Sequence, residues 1–171
     1  MSPTIIKLTW DDYERAIRGM VTFLRESGRA PDLIVGLARG GLVPMATLSH
    51  RLGVRAVGIV LMDKTASDAR FANDDQKIVR IDGSVFRWDG DAPPREILVV
   101  DDIVAYGDTL RAAHRLVRER FGDASRITTM SICLRGFDWG AKTGTDADPG
   151  SLVDYHSVKN PGDSWIEFPW E

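Results

Sequence analysis

The chain has 171 residues, 43% of them hydrophobic and 27% charged, the makeup of a single soluble domain spanning residues 1–171 with room for a proper core. Lys and Arg number 22 against 25 Asp and Glu, a net charge of -3 that leaves no basic excess for nucleic-acid phosphates, and no apolar run approaches membrane-spanning length. Cys133 is the only cysteine, which excludes disulfide scaffolds and cysteine metal sites; Met1-Ser2-Pro3-Thr4 carries no leader pattern, so a reducing cytoplasm is the expected compartment.

Ile5, Ile6 and Leu8 predict a short opening strand. Thr9 reads as an N-cap with Asp12 three residues on, starting a helix whose apolar face runs through Tyr13, Ile17, Val21 and Leu24. Asp32 to Leu37 is a buried strand that runs into Ala38-Arg39-Gly40-Gly41-Leu42-Val43-Pro44, with a helix from about Met45 to Leu52. The glycines let the backbone approach a ligand closely, and Arg39 with the turn's N–H groups supplies positive field for an anion. Val54 to Leu61 is another apolar strand. From Met62 to Pro94 the periodicity fades among charges, which fits a linker or a functional lid; its place between two buried strands of one core favours the lid. Inside it, Ile78 to Ile81 and Val85 to Trp88 read as a small hairpin joined by Asp82-Gly83.

The most informative stretch follows. Ile97-Leu98-Val99-Val100 is a strand buried on both faces, and the acidic pair Asp101-Asp102 marks where it emerges into solvent. After Ile103 and Val104 comes a tight turn, Ala105-Tyr106-Gly107-Asp108-Thr109, in which Gly107 supplies backbone freedom and Asp108 and Thr109 can cap the helix carrying Leu110, Ala113, Leu116 and Val117. A strand, a short loop and a helix N-terminus in succession make a phosphate seat. The two carboxylates do not face that phosphate, because like charges ~4 Å apart repel by roughly 4 kcal/mol at an effective dielectric of 20. They meet hydroxyls or a cation instead, and the ligand described is a sugar phosphate. Arg126 to Leu134 is the next core strand, ending at Arg135. Such β-α alternation predicts an α/β fold with a parallel sheet covered on both faces, and Arg39, the Asp pair and Arg135 all fall at carboxyl ends of strands, where such sheets bind ligands. Gly136 to Gly150 is a loop, and Leu152 to Val158 a late edge strand. The aromatic ending, Trp165-Ile166-Glu167-Phe168-Pro169-Trp170-Glu171, either caps the core or stacks on a heteroaromatic base whose edge meets the nearby acid. His50, His114 and His156 are scattered singly, as packing or surface residues are.

The segment from Ile97 to Leu110, an apolar run, two acids, two apolar residues and a small loop closing in Gly-x-Thr, resembles the phosphoribosyl-diphosphate (PRPP) signature of type I phosphoribosyltransferases. With Arg39-Gly40-Gly41-Leu42-Val43-Pro44 early and Trp165-Ile166-Glu167-x-Pro169-Trp170-acid late, the chain is similar to the bacterial xanthine–guanine and hypoxanthine–guanine members of that family over most of its length. The resemblance implies a doubly wound, mostly parallel sheet flanked by helices, with a mobile flap at about 62–94 and a small C-terminal hood at about 136–171. It implies transfer of the 5-phosphoribosyl group from PRPP to a purine-like base, with pyrophosphate released and Mg²⁺ as cofactor. Ala38, Arg39 and Gly40 would hold pyrophosphate, around a non-proline cis peptide at Ala38-Arg39. Asp101 and Asp102 would meet the ribose hydroxyls and Mg²⁺, with Asp102 as the metal-facing carboxylate, and Ala105, Tyr106, Gly107, Asp108 and Thr109 would seat the 5′-phosphate. Arg135, Trp165, Ile166 and Glu171 would form the base site, Arg135 pointing at the purine 6-oxygen. Asp101, Asp102 and Arg39 are the catalytic candidates. Small molecules are the implied partners, with neither nucleic acid nor membrane, in a homodimer or homotetramer.

The chain also departs from the pattern. The 6-oxopurine enzymes carry an aspartate where this chain has Ala105, and general acid–base groups are worth roughly 10²–10⁴-fold in rate. Alanine there resembles the adenine-specific relatives, whereas the Trp165-Ile166-Glu167 ending does not. Arg135 stands in place of the usual lysine, Tyr106 in place of a threonine, and the flap's Ser-Tyr pair is missing, with Lys64, Thr65 or Ser67 as substitutes. The expectation is an intact PRPP half and an altered acceptor half. The alternative is a regulator of the same fold that senses PRPP or a nucleotide without turning it over.

Overall fold

The computed structural model describes residues 4–63, 80–136, 149–161 and 164–171. In chain order these form β1 (Ile5–Lys7), α1 (Trp10–Glu26), β2 (Leu33–Ala38), α2 (Leu42–Leu52), β3 (Val57–Asp63), β4 (Arg80–Phe86), β5 (Glu96–Val104), α3 (Asp108–Phe121), β6 (Arg126–Gly136), β7 (Tyr155–Pro161) and β8 (Trp165–Glu167). The main sheet has the order β4-β3-β2-β5-β6-β7, and every neighbouring pair is parallel except β3 with β4. Strands β1 and β8 make a separate parallel pair. This is the expected mixed α/β architecture.

Two-residue alternation divides the central strands between two apolar layers. Ile34 on β2 and Leu98 and Val100 on β5 pack with Ile17, Met20 and Leu24 of α1 and with Met45 and Leu48 of α2. Leu33, Val35 and Leu37, with Ile97 and Val99, face the other way onto Leu110, Ala113, Val117 and Phe121 of α3. Helices on both faces leave these strands no solvated side, which is why their sequences are unbroken apolar runs. Full burial of each such side chain contributes about 1.5–3 kcal/mol.

Several boundaries differ from expectation, each for a physical reason. Helix α2 starts at Leu42, three residues before Met45, because the missing N–H of Pro44 is harmless within a first turn whose N–H groups have no intrahelical partner. Strand β5 does not surface at the acids. It continues to Val104 beside β6, with Ile103 opposite Cys133 and Val104 opposite Leu134, and Asp101 is buried. The hairpin expected at Asp82-Gly83 is one continuous strand: β4 runs antiparallel along β3, and Gly83 stands opposite Leu61. Ile78, Val79 and the flap candidates Lys64, Thr65 and Ser67 lie outside the described residues.

The lower edge of α3 meets the sheet through a polar knot. His114 Nε2 lies 2.7 Å from Thr129 Oγ1, whose own N–H donates to Asp154 Oδ2 at 2.8 Å, while Arg29 donates to Asp154 Oδ1 at 2.6 Å. Burial, and secondarily the Arg118 charge, hold the His114 pKa below its ordinary value, against the opposing pull of Asp154. The unfolded chain therefore takes up this proton first, so the stability that neutral His114 contributes is present above the ordinary histidine pKa and is lost as pH falls through the folded value. His114→Gln should accordingly show a smaller fall in Tm than the wild type between pH 7.5 and 5.5. Equal slopes in thermal melts would show that His114 does not carry this term.

Candidate active site

The sheet has one place where neighbouring strands lead their chains in opposite directions. From β2 the chain passes through α2 to β3 on one side, and from β5 through α3 to β6 on the other. The carboxyl ends of β2 and β5 therefore bound a crevice at the switch point, where open α/β sheets receive ligands.

The β2 end carries Ala38 to Gly41. The Ala38-Arg39 peptide is cis, as the resemblance implied. Arg39 is exposed, and the turn closes by Gly41 N–H to Leu37 O at 2.9 Å and Leu42 N–H to Arg39 O at 3.1 Å. The two glycines have an unanticipated cause. A methyl group on Gly40 would overlap the carboxylate of Asp102, and one on Gly41 would sit 2.6 Å from both Leu37 O and Val100 O. What the glycines admit at close range is the chain's own β5.

The β5 end carries the acids. Asp101 Oδ1 accepts the Asp102 N–H at 3.0 Å, and Asp102 Oδ1 accepts the Ile103 N–H at 2.7 Å, while Ser131 Oγ donates to Asp102 O at 3.2 Å. The other Asp102 oxygen, Oδ2, is the one nearest the Gly40 position. Burial pushes Asp102 up to about 6; hydrogen bonds from Ile103 and Asp101 oppose that rise, and the charge of Glu171 adds to it. Burial, with Asp102's charge behind it, also pushes the Cys133 thiol up to about 12, so this cysteine is an inert core residue.

The loop Ala105 to Gly107 turns into α3 with Gly107 at φ +75°, a left-handed conformation that explains the glycine. Asp108 and Thr109 do not cap. Gly107 is the N-cap, and it offers α3 no side-chain bond. Arg111 instead ties the loop from behind, donating to Tyr106 O at 2.7 Å and to Asp108 Oδ1 at 2.9 Å. Helix α2 likewise begins on Gly41 without a side-chain cap. Helix α1 differs: Thr9 and Asp12 form a full capping box. The two helices that start at the crevice thus have glycine N-caps that make no side-chain bond, and both direct positive dipole ends toward it; in α2 the Leu42 and Val43 N–H groups already meet Arg39 O and Gly40 O at 3.1 and 3.4 Å, so its pull on an anion comes from the dipole and from Arg39.

The base-side candidates are distributed less uniformly. Arg135 is buried at the end of β6, in register with Asn160 on β7. Trp165 is half-buried next to Ser164, whose carbonyl accepts the Asn160 Nδ2 at 3.0 Å. Glu171 lies within electrostatic reach of Asp102, and its carboxylate accepts the Phe168 N–H at 3.1 Å. Ile166 is not brought to this edge. It is buried with Tyr13, Ala16 and Ile17 in the core, because alternation on β8 turns it away from Trp165 and Glu167. Trp170 stacks on Phe168 at 4.8 Å and meets Tyr13 edge-on at 5.5 Å, so it packs the core. Asn160 was not anticipated. A polar amide at the end of an otherwise unremarkable edge strand was the only signal available.

Residues 9–171 match the family model described as the phosphoribosyl transferase domain. The chain belongs to the phosphoribosyltransferase family. Among solved structures, this phosphoribosyltransferase is similar to a purine phosphoribosyltransferase from Pyrococcus horikoshii Ot3, with 28% identity, TM-score 0.68 and coverage of 98% of this chain and 93% of that one. Its fold also matches a xanthine-guanine-hypoxanthine phosphoribosyltransferase from Helicobacter pylori at 20% identity, TM-score 0.68 and coverage of 98% and 94%. A hypothetical protein from Neisseria gonorrhoeae with bound ppGpp matches at 20% identity and TM-score 0.69, covering 100% of this chain and 91% of that one.

Among the described residues no three His, Cys, Asp or Glu side chains cluster as a metal cage, and no helix is long and apolar enough to cross a membrane. The donor set at the crevice still fits Mg²⁺, which keeps water and substrate oxygens and takes one or two carboxylates from a protein. Asp102, with Oδ2 directed away from its backbone bond, is the residue that would face it. In a Gly40→Ala variant the added methyl displaces this carboxylate. Its affinity for PRPP, measured by titration calorimetry with Mg²⁺, is expected to fall at least ten-fold; unchanged affinity would show that the Gly40–Asp102 contact is unrelated to the site.

Proposed function

We propose that this protein transfers the 5-phosphoribosyl group of PRPP to a ring nitrogen of a purine-like base, a 6-oxopurine such as guanine, xanthine or hypoxanthine or a modified heterocycle of that kind, and releases pyrophosphate. The observation that carries this reading is the acidic pair set between two helix N-termini without side-chain caps at the switch point. Anion seats on either side of a hydroxyl-binding carboxylate pair match a pentose phosphorylated at one end and pyrophosphorylated at the other.

The displacement at the anomeric carbon has oxocarbenium character, and the leaving pyrophosphate gathers negative charge. Arg39 and the amides after the cis peptide receive that charge, Ala105 to Thr109 hold the 5′-phosphate by their backbone, and Asp101 and Asp102 orient the ribose hydroxyls. Preorganised donors and positioning supply most of the rate, with no covalent intermediate on the protein. When bound, Mg²⁺ adds charge neutralisation on the pyrophosphate oxygens. The purine-type reading draws on the named activities of the Pyrococcus and Helicobacter proteins. It also draws on Arg135, whose guanidinium presents only donors and so suits a carbonyl on the base. A single buried, inert thiol accords with a reducing cytoplasm.

Ala105 favours a second reading, nucleotide sensing without turnover, because it provides no carboxylate to exchange a proton with the base. Pyrophosphate release with Mg²⁺, PRPP and a panel of bases separates the two. Turnover on a 6-oxopurine is expected; tight PRPP or nucleotide binding with no release on any base would replace catalysis with sensing. Asp102→Asn should keep the fold, with a Tm at pH 7.5 equal to or above that of the wild type because a buried charge is removed. It should also lower kcat/KM for PRPP at least 100-fold. A variant as active as the wild type would mean that the acids do not form the site.

A further inference from the structure

Among the described residues Asn160 is the one side chain at the ligand-binding edge that is 1% exposed and yet has an amide oxygen with no hydrogen-bond partner. Its nitrogen is committed: Nδ2 donates to Ser164 O at 3.0 Å, which fixes the plane of the amide and directs Oδ1 the other way. Asn160 pairs in register with Arg135, and in-register residues on parallel strands about 4.8 Å apart project from the same face. Cys133 and Val100 share one apolar layer, and Val158, in register with Cys133, packs on it; Arg135, Asn160 and Asp102 each lie two residues beyond one of these, so alternation puts all three on the same side of the sheet.

A buried acceptor without a donor is unfavourable, and it is retained where a ligand-bound state satisfies it. We propose that Asn160 is a positioning residue that sets acceptor-base specificity. With a base seated, its Oδ1 accepts one N–H of Arg135, so the remaining guanidinium donors aim at a carbonyl oxygen on the base. Its Nδ2 stays on Ser164 O and only keeps the plane of the amide. The ligand class this favours is a heterocycle with a ring carbonyl; a ring amine in the same place would set donor against donor. The inference deepens the reading given under Proposed function and rests on it for the identity of the ligand.

Two variants separate the roles of the amide. Asn160→Leu removes acceptor and donor, whereas Asn160→Asp keeps the acceptor and loses the donor. The expected result with guanine and hypoxanthine is a KM for base raised at least ten-fold in Asn160→Leu and within about three-fold of wild type in Asn160→Asp. KM for PRPP should stay within two-fold in both. Equal KM for base in Asn160→Leu and wild type overturns the proposal, as does an Asn160→Asp variant as impaired as Asn160→Leu. So does a parallel rise in both KM values with a lowered Tm, the mark of a merely structural residue. A second readout does not depend on turnover: in ¹H–¹⁵N spectra recorded with guanosine 5′-monophosphate, the Arg135 side-chain N–H signal should shift between wild type and Asn160→Leu and be retained in Asn160→Asp. If the wild type turns over no base, the proposed activity fails, and this spectrum alone decides for or against the role of Asn160.

Discussion

The contact between the Asp102 carboxylate and the α-carbon of Gly40 constrains the rest of the site. It spans the crevice between the ends of β2 and β5, so it sets the distance between the loop that starts α2 and the loop that starts α3. Any side chain at position 40 displaces that carboxylate. The contact also requires β5 to run past its acids, because only a strand held by β6 as far as Val104 keeps Asp102 rigid enough to rest there. The carboxylate is taken partly out of water, and its pKa rises in consequence. Glu171 makes that position still less comfortable for a negative charge. Hydroxyls or a cation arriving from solvent relieve what the fold leaves strained electrostatically.

The parts of this structure that were legible in the sequence share one property: their signal is local. The apolar runs of β2 and β5, the Thr9–Asp12 capping box and the glycine at 107 each state their structure within a few residues. The place of the Asp pair and the Arg39 turn near the carboxyl ends of β5 and β2 was legible because chain order alone puts them there. The failures are non-local. Strand β4 looked like a hairpin in itself because its true partner, β3, lies on the far side of residues 64–79 in the chain. The buried Asp101 looked exposed because its cover comes from β6, and Ile166 looked like a pocket residue because its neighbours in the core come from α1. For Asn160, the facing residue Arg135 is 25 positions away, and no pattern within β7 identifies that register.

The two ends of the sheet are built to opposite rules. At the amino ends, polar groups are satisfied by the protein itself. Asp32 Oδ2 accepts both the Arg95 and Glu96 N–H groups, at 2.8 and 3.0 Å, Ser125 Oγ donates to Pro94 O at 2.6 Å, and Arg126 pairs with Glu96 at 2.7 Å. At the carboxyl ends the described residues show two helices without side-chain caps, a buried amide oxygen without a donor and a carboxylate raised by burial. Local rules broken together at one edge, and kept at the other, are what a binding edge of the proposed kind requires.

This asymmetry has a thermodynamic meaning. Groups that the folded chain leaves unsatisfied are satisfied by ligand only in the native state, so ligand binding and folding draw on the same interactions. The amino-end knots hold the sheet in register without touching the crevice. An edge of this kind is preorganised: its helix ends and carboxylates are already positioned, so little ordering remains for the ligand to impose. The same reasoning separates the two halves of the proposed site. A pentose carrying two phosphate ends demands fixed helix termini and fixed acids, which leaves few residues free to change. A flat base asks only for a stacking surface and a donor pattern, and Arg135, Asn160 and Ala105 can vary that pattern without disturbing Gly40 or Asp102.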